Sequence, residues 1–421
     1  MIIVDVGAIK NLGGFKRYSK DTLYRNSFYM IINKGLVAAT GLVFWVIAAR
    51  FYSVSNIGLA TTLISASMLI TSFSTFGFEI SLVRFLKSFD RAKAFYTCLF
   101  FTMGSSFFLA ILYIVFVRYL SPDLSFIQET AYAIFFILFT VIDSIGIITT
   151  NTFIALRDAK YSFLQNLLLT TRVLAIIPLA FLGILGILGA NFFGYILTYS
   201  IILIFLTRFI PFKPQVDKEF FNMSFTFSFG NYVANILYNA AFLALPIIVL
   251  DLRGSTAAGI YYIAYTVGNF LLQVPIALGI SFFVEGVYGE DIWKNIVKTG
   301  TAMIMLLVPG IAIFWVFGSV ILGFFGNSYT GAIDLLRLVA ISSLPYAVYS
   351  VFQPMLNIRM RIKEIILLNL AIFVLLIGLS YAMVSVMGIL GVGYALIATF
   401  LIIDVLILSS IKWWGLSSFI K

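Results

Sequence analysis

The second half of this chain repeats its first at an offset of roughly 202 residues, and each copy is a succession of long apolar stretches. Gly186-Ile187-Leu188-Gly189 returns as Gly388-Ile389-Leu390-Gly391, Asn33 matches Asn235, Gly58 matches Gly259, Gly77 matches Gly279 and Asn166 matches Asn369. Stretches of at least about 17 apolar residues, the length that crosses roughly 30 Å of hydrocarbon, fall near 26–49, 56–78, 93–117, 129–151, 162–182, 185–206, 225–250, 256–280, 297–317, 329–354, 362–386 and 389–410. The expected fold is an all-α polytopic membrane protein with about 12 transmembrane helices in two pseudo-symmetric six-helix lobes around a central cavity. It divides into a cytoplasmic N-terminal tail 1–25, an N-terminal lobe 26–207, a cytoplasmic linker 208–224, a C-terminal lobe 225–410 and a cytoplasmic tail 411–421.

Composition supports the bilayer: 10% of residues are charged, where a water-soluble domain carries about 25%. The net charge of +10 does not indicate nucleic acid, because the basic residues collect between spans. With a cytoplasmic start, 21 of the 27 lysines and arginines lie on the inner side. Arg50, Arg118 and Arg253 lie outside, and Lys34, Arg172 and Arg337 fall within spans. That asymmetry predicts a multi-pass protein of the cytoplasmic membrane with both termini inside. The first 25 residues lack the apolar core and small-residue site of a cleaved signal, so insertion is expected through the first span.

Histidine is absent and Cys98 is the sole cysteine, which removes disulfides, His-dependent catalysis and zinc centres. The outer loops are short and carry no Asp-x-Asp pattern for a metal-bound diphosphate. No catalytic residue, metal or cofactor is expected, and the chain reads as a non-enzyme.

Polar side chains in a lipid-facing helix are costly, so stripes of them mark a neighbouring helix or a wet cavity. The first two helices of each lobe carry such stripes: Asn26, Tyr29 and Asn33 with Lys34 in the first, Ser65, Ser72, Thr75 and Glu79 in the second, Asn231, Asn235, Tyr238 and Asn239 in the seventh, and Tyr262, Tyr265, Thr266, Asn269 and Gln273 in the eighth. Interhelical tethering explains the hydroxyl stripe of the second span equally well, whereas the larger amides favour a cavity. Lys34, about 12 Å inside the first span, is the leading candidate for a phosphate contact, with snorkelling as its rival. Arg84 and Arg50 stand at the inner and outer mouths of the first hairpin, where membrane-edge anchoring competes. Asp143 and Arg172 differ in depth by about 6 Å, which reads as a buried ion pair or as a site where Asp143 takes up a proton or Na⁺. Arg337 and Asp404 differ in depth by about 10 Å on the same count, too much for a pair, so one or both are expected to face the cavity.

Several stretches resemble the oligosaccharide-lipid flippases of the polysaccharide-exporter family, a branch of the multidrug/oligosaccharidyl-lipid/polysaccharide exporter superfamily. They include 46–52 (Val-Ile-Ala-Ala-Arg-Phe-Tyr) followed by Gly58, Gly77-Phe78-Glu79 running to Arg84-Phe85-Leu86, and 155–161 (Ala-Leu-Arg-Asp-Ala-Lys-Tyr). In the second lobe they are 245–250, 257–265 and 325–329 leading into Leu335-Leu336-Arg337-Leu338. The resemblance implies a cationic cavity that takes the headgroup of an isoprenoid phosphate or diphosphate glycan while the tail stays in the bilayer. Cationic positions carry over as Lys34, Arg84 and Arg50, and more weakly as Arg337. Many relatives have fourteen spans, so any role of two extra helices does not transfer to this chain. The expected partners are the isoprenoid-linked glycan, membrane lipids and glycan polymerase or transferase proteins, with coupling to an Na⁺ or H⁺ gradient or to the membrane potential. A multidrug/cation antiporter and a non-transporting membrane subunit of a glycan-assembly complex remain the alternatives.

Overall fold

The computed structural model describes residues 22–287 and 291–413, and the tail expectations for 1–21 and 414–421 lie outside those residues. Among the described residues every regular element is helical. The first half comprises α1 (Thr22–Phe51), α2 (Val54–Ser74), α3 (Phe78–Phe85), α4 (Arg91–Leu120), α5 (Thr130–Ala155), α6 (Ala159–Leu169), α7 (Arg172–Ile176) and α8 (Ile184–Leu206). The second half comprises α9 (Lys218–Leu243), α10 (Leu245–Val287), α11 (Ile292–Gly323), α12 (Ile333–Ile358), α13 (Ile362–Met387) and α14 (Leu390–Trp413).

Hydrogen bonds locate the true span ends. Ala244 continues the α9 ladder, donating to the Ala240 carbonyl at 3.0 Å and accepting from Ile248 N–H at 3.0 Å. The break between the seventh and eighth spans is instead Gly254, with φ 78° and ψ 175° inside α10, a conformation that glycine adopts without Cβ strain. Taking α6 and α7 as one interrupted span and α3 as a short extension of α2, the elements account for the twelve expected spans.

The duplication is visible in matched local devices. Asp90 and Asp291 each cap the third helix of their copy, accepting from the backbone N–H of Lys93 at 3.0 Å and Lys294 at 2.8 Å. The Lys93 N–H, ahead of nearby lysine charge, holds the exposed Asp90 carboxyl below its usual range. Arg157 and Met360 occupy the left-handed region at φ 57° and 58°. Around them Asp158 N–H reaches Phe153 O and Arg361 N–H reaches Leu356 O, each at 3.0 Å, the six-to-one bond of a Schellman turn. Gly183 and Gly388, at φ 58° and 64°, open the last helix of each copy. The structural register therefore pairs Gly183 with Gly388 and Gly186 with Gly391, one helical turn away from the tetrapeptide match in the sequence.

The fifth span is not the continuous helix expected over 162–182. The α6 ladder ends at Thr170 and Thr171, whose hydroxyls bond back to Leu167 O and Leu168 O at 2.7 Å, and α7 stops at Ile176 ahead of Pro178. Its repeat mate α13 runs unbroken.

Compactness groups the described residues into two units, one of 53–66 with 233 onward and the other of residues up to 52 with 67–232. Each of α2 and α9 thus contributes one end to each unit. In the second unit Phe78, Phe95, Cys98, Phe153, Ile202 and Phe220 are buried together, so Cys98 is a core residue. In the first, Leu271, Met303, Leu307 and Ala340 form the core cluster. Lipid is as apolar as these side chains, so small residues and interhelical hydrogen bonds have to fix the packing. Ser74 and Ser106 supply one such bond at 2.6 Å, and Ser81 and Ser228 another.

Candidate functional site

The break in the fifth span makes Arg172 the first residue of α7. Its Nη1 donates to Asn191 Oδ1 on α8 at 3.0 Å, and the guanidinium lies 4.9 Å from the Phe44 ring centroid on α1. Asn191 in turn donates to Ile187 O at 2.9 Å, which fixes its acceptor oxygen toward the arginine. Gly194 leaves the space for Arg172, since a Cβ there would stand 3.0 Å from Arg172 Cβ.

Asp143 sits on the neighbouring α5, where Thr71 donates to its Oδ2 at 3.2 Å and Tyr195 lies within electrostatic reach. The expected direct ion pair is corrected by this geometry: among the described residues no ion pair joins Asp143 to Arg172. Tyr195 and Tyr199 are within electrostatic reach of both charges. The Tyr199 hydroxyl occupies the place a Cβ would take at Gly146, one turn beyond Asp143. The physical reason is the break at Thr170 and Thr171, which removes Arg172 from the register a continuous helix would have given it. A half-buried carboxylate, two phenols and a cation with an unpartnered buried Nε lie near one another in an apolar unit.

The other unit holds a tyrosine network. The Tyr238 and Tyr346 hydroxyls are 2.7 Å apart, Tyr238 stacks on Tyr349 at 5.7 Å, and Phe400 packs edge-on to Tyr346 at 4.9 Å. Tyr349 donates to Asn369 Oδ1 at 2.8 Å, and Asn369 Nδ2 donates to Ala234 O at 2.9 Å. In the first copy Asn166 Nδ2 donates to Asn33 Oδ1 at 3.0 Å, so repeat-related asparagines on the fifth and eleventh spans both grip the first helix of their own copy. Asn369→Ala leaves a buried phenol and a buried carbonyl short of a partner. The expected result is a loss of about 1 to 2 kcal/mol in detergent-solubilised stability, read as a lowered melting temperature.

The remaining expected residues separate by exposure. Lys34 is exposed on α1 beside the tethered Asn33, and Arg84 is exposed on α3 with its guanidinium 5.9 Å from the Phe227 centroid. Arg50 is exposed at the end of α1. Asn235 and Gln273 are exposed in the other unit, Tyr238, Tyr265 and Asn269 are half-buried there, and Tyr265 lies within electrostatic reach of Tyr238 and Tyr346. Ser65 and Thr75 are buried, and Thr75 donates back to Ser72 O at 3.2 Å one turn earlier in the same span. Arg337 takes Asp334 at 3.2 Å, Trp315 O at 3.0 Å and the Trp315 ring. The sequence reading missed Tyr195, Asn191, Tyr346 and Tyr349. The spacing of Asn191, Tyr195 and Thr198 on α8 is a helical polar stripe that would have found the first two.

Comparison with known proteins follows the same lines. A protein-family model described as "Polysaccharide biosynthesis protein" matches residues 23–282. The lipid II flippase MurJ in an inward closed conformation superposes with a TM-score of 0.70 at 13% identity, covering 92% of this chain and 87% of that one. A MATE protein in complex with MaL6 gives 0.61 at 13% identity over 91% and 94%. A MOP superfamily transporter from Pyrococcus furiosus gives 0.61 at 14% over 95% and 96%. No curated protein matches in sequence. At such identities the structures establish a shared fold, and the family match spans more than half of the chain. A duplicated, all-helical membrane protein with the fold of MurJ and MATE proteins, this chain belongs to the polysaccharide biosynthesis protein family.

Proposed function

We propose that the chain is a flippase that carries a lipid-linked oligosaccharide, on an isoprenoid phosphate or diphosphate, from the cytoplasmic to the outer leaflet for surface polysaccharide or glycan assembly. The observation that carries this reading is a set of polar side chains left exposed on membrane-spanning helices: Lys34 on α1, Asn235 and Asn239 on α9, and Gln273 on α10. Facing lipid, each would lack hydrogen-bond partners at a cost of several kcal/mol, so each face that bears them suits contact with water or a polar ligand. Amides and tyrosines can hydrogen-bond or stack on sugars, and a cation can hold phosphate. Arg84, exposed on α3, and Arg50, exposed at the end of α1, serve as additional cationic contacts. The family match and the fold shared with a lipid II flippase support transport rather than catalysis.

In this proposal the Asp143 cluster couples movement to an Na⁺ or H⁺ gradient. Protonation or cation binding at the carboxylate changes the charge facing Tyr195, Tyr199 and Arg172, and the broken fifth span is the element placed to respond. The test is reconstitution of the purified protein in proteoliposomes with a polyprenyl-diphosphate oligosaccharide and a membrane-impermeant lectin or glycosidase that reads its sidedness. Protein-dependent transfer is expected, and absence of transfer under every imposed gradient rejects the flippase reading. Asp143→Asn is expected to abolish the response to pH or Na⁺ while leaving a folded protein. An unchanged ion response with a lowered melting temperature assigns Asp143 a structural role instead.

A further inference from the structure

Along the first half of α11 and the second half of α12, closed by the end of α14, runs an apolar groove of about 420 Å³ within a single compact unit. Trp293, Ile296, Gly300, Ile304, Val348 and Leu408 line it, and no polar side chain interrupts them. We propose that this groove holds one acyl chain of an anionic phospholipid from the leaflet at the basic ends of these helices.

Three features select that occupant. An unfilled apolar groove forfeits dispersion contacts along its whole lining, and inside a bilayer the material at hand to restore them is hydrocarbon. The lining of α11 runs from Ile292 to Leu307, a rise of about 22 Å, which spans one leaflet of about 15 Å and its interface but not the bilayer. That extent suits a single acyl chain and is too short for the whole tail of a long isoprenoid. The mouth is basic: Lys294 and Lys298 open α11, and Arg359, Arg361 and Lys363 follow the end of α12. Against these five stand four acidic residues of the same sequence stretches, Glu285, Glu290, Asp291 and Glu364. Asp291 is engaged in capping α11 and Glu364 is paired with Arg361 at 3.2 Å, so the balance favours an anionic headgroup. Trp293, 52% exposed at the same end, suits the headgroup level where indoles anchor.

Native mass spectrometry of the detergent-extracted protein, titrated with equal amounts of dipalmitoyl phosphatidylglycerol and phosphatidylcholine, reads the site directly. One phosphatidylglycerol per chain is expected to be retained in preference. Gly300→Phe is expected to lose it, because a Cβ at Gly300 meets no atom within 4 Å and the ring enters the groove rather than a neighbouring backbone. Ile304→Trp, at a position 60% exposed, fills the same groove and serves if the first variant does not fold. Lys294→Gln is expected to lower the preference for phosphatidylglycerol about fivefold, the worth of one basic residue near an anionic surface. The proposal is overturned by equal retention of the two lipids, or by retention that Gly300→Phe and Ile304→Trp leave intact. It is also overturned by a dimer that these variants dissociate, or by displacement of the lipid by a polyprenyl phosphate, which would assign the groove to the carrier tail.

Discussion

Gly58→Leu is expected to be the most damaging single substitution in this chain, lowering stability by about 3 kcal/mol or more and leaving little folded protein in the membrane. Gly58 on α2 and Gly259 on α10 are repeat mates that touch each other within one compact unit. A Cβ on Gly58 would overlap the Ser255 carbonyl oxygen and stand 2.7 Å from the Gly259 nitrogen, and a Cβ on Gly259 would overlap the Val54 carbonyl oxygen. Both obstacles are backbone, which cannot rotate away as a side chain does. The Ser55 and Ser255 hydroxyls, 2.7 Å apart, hold the same crossing, so the contact is self-complementary down to its flanking residues. Small residues permit this close approach between membrane helices, where association rests on packing and hydrogen bonds. Thermal denaturation in detergent checks the prediction, with Gly104→Ala as control. No atom lies within 4 Å of a Cβ at Gly104, so that change is expected to be neutral or slightly stabilising. A Gly58→Leu protein that melts with the wild type would mean that the two helices do not cross here.

The Gly58 and Gly259 match shows how much of the fold was readable beforehand. Hydropathy sets the spans because a backbone in hydrocarbon has to be helical, and the duplication follows from residues that do the same job twice, as Asn166 and Asn369 do. The register of the Gly-Ile-Leu-Gly tetrapeptide was less secure. What the copies share there is a left-handed glycine one turn earlier in the first, and a string match cannot see φ. The candidate site was legible only in part. The stripes on the first, seventh and eighth spans contain residues that stay exposed, but the partners of Asp143 and Arg172 depend on a helix break at two threonines. Threonine is common inside membrane helices, and nothing in the local composition distinguishes this pair from Thr149 and Thr150, which continue α5 without interruption. The tyrosine network was missed because aromatic residues in an apolar stretch look like packing until the hydroxyl partners are known.

Lys34→Glu is the second large effect expected, a loss of transport of about 100-fold or more at unchanged membrane abundance. The helix start at Thr22 puts Lys34 about 18 Å along α1, and Asn166 holds the adjacent Asn33 at 3.0 Å, so the turn of α1 that carries the cation is tied to the fifth span through its neighbour. An ammonium–phosphate contact contributes roughly 1.5 to 3 kcal/mol, and reversing the charge adds repulsion to its loss, which together give the stated factor. Snorkelling predicts a different pattern across substitutions. If the side chain only reaches for the interface, Lys34→Gln and Lys34→Glu both carry a polar tip and should differ little in transport. A phosphate contact instead orders the variants Arg, Gln and Glu by charge, with Lys34→Arg retaining most activity. The loss should also depend on the substrate: a neutral isoprenoid-linked sugar without phosphate would be handled equally by wild type and Lys34→Glu. Initial rates in the proteoliposome assay measure this order. Equal rates for Lys34→Gln and Lys34→Glu, both near that of the wild type, would remove Lys34 from the substrate path and leave the exposed amides of α9 and α10 as the polar contacts to test.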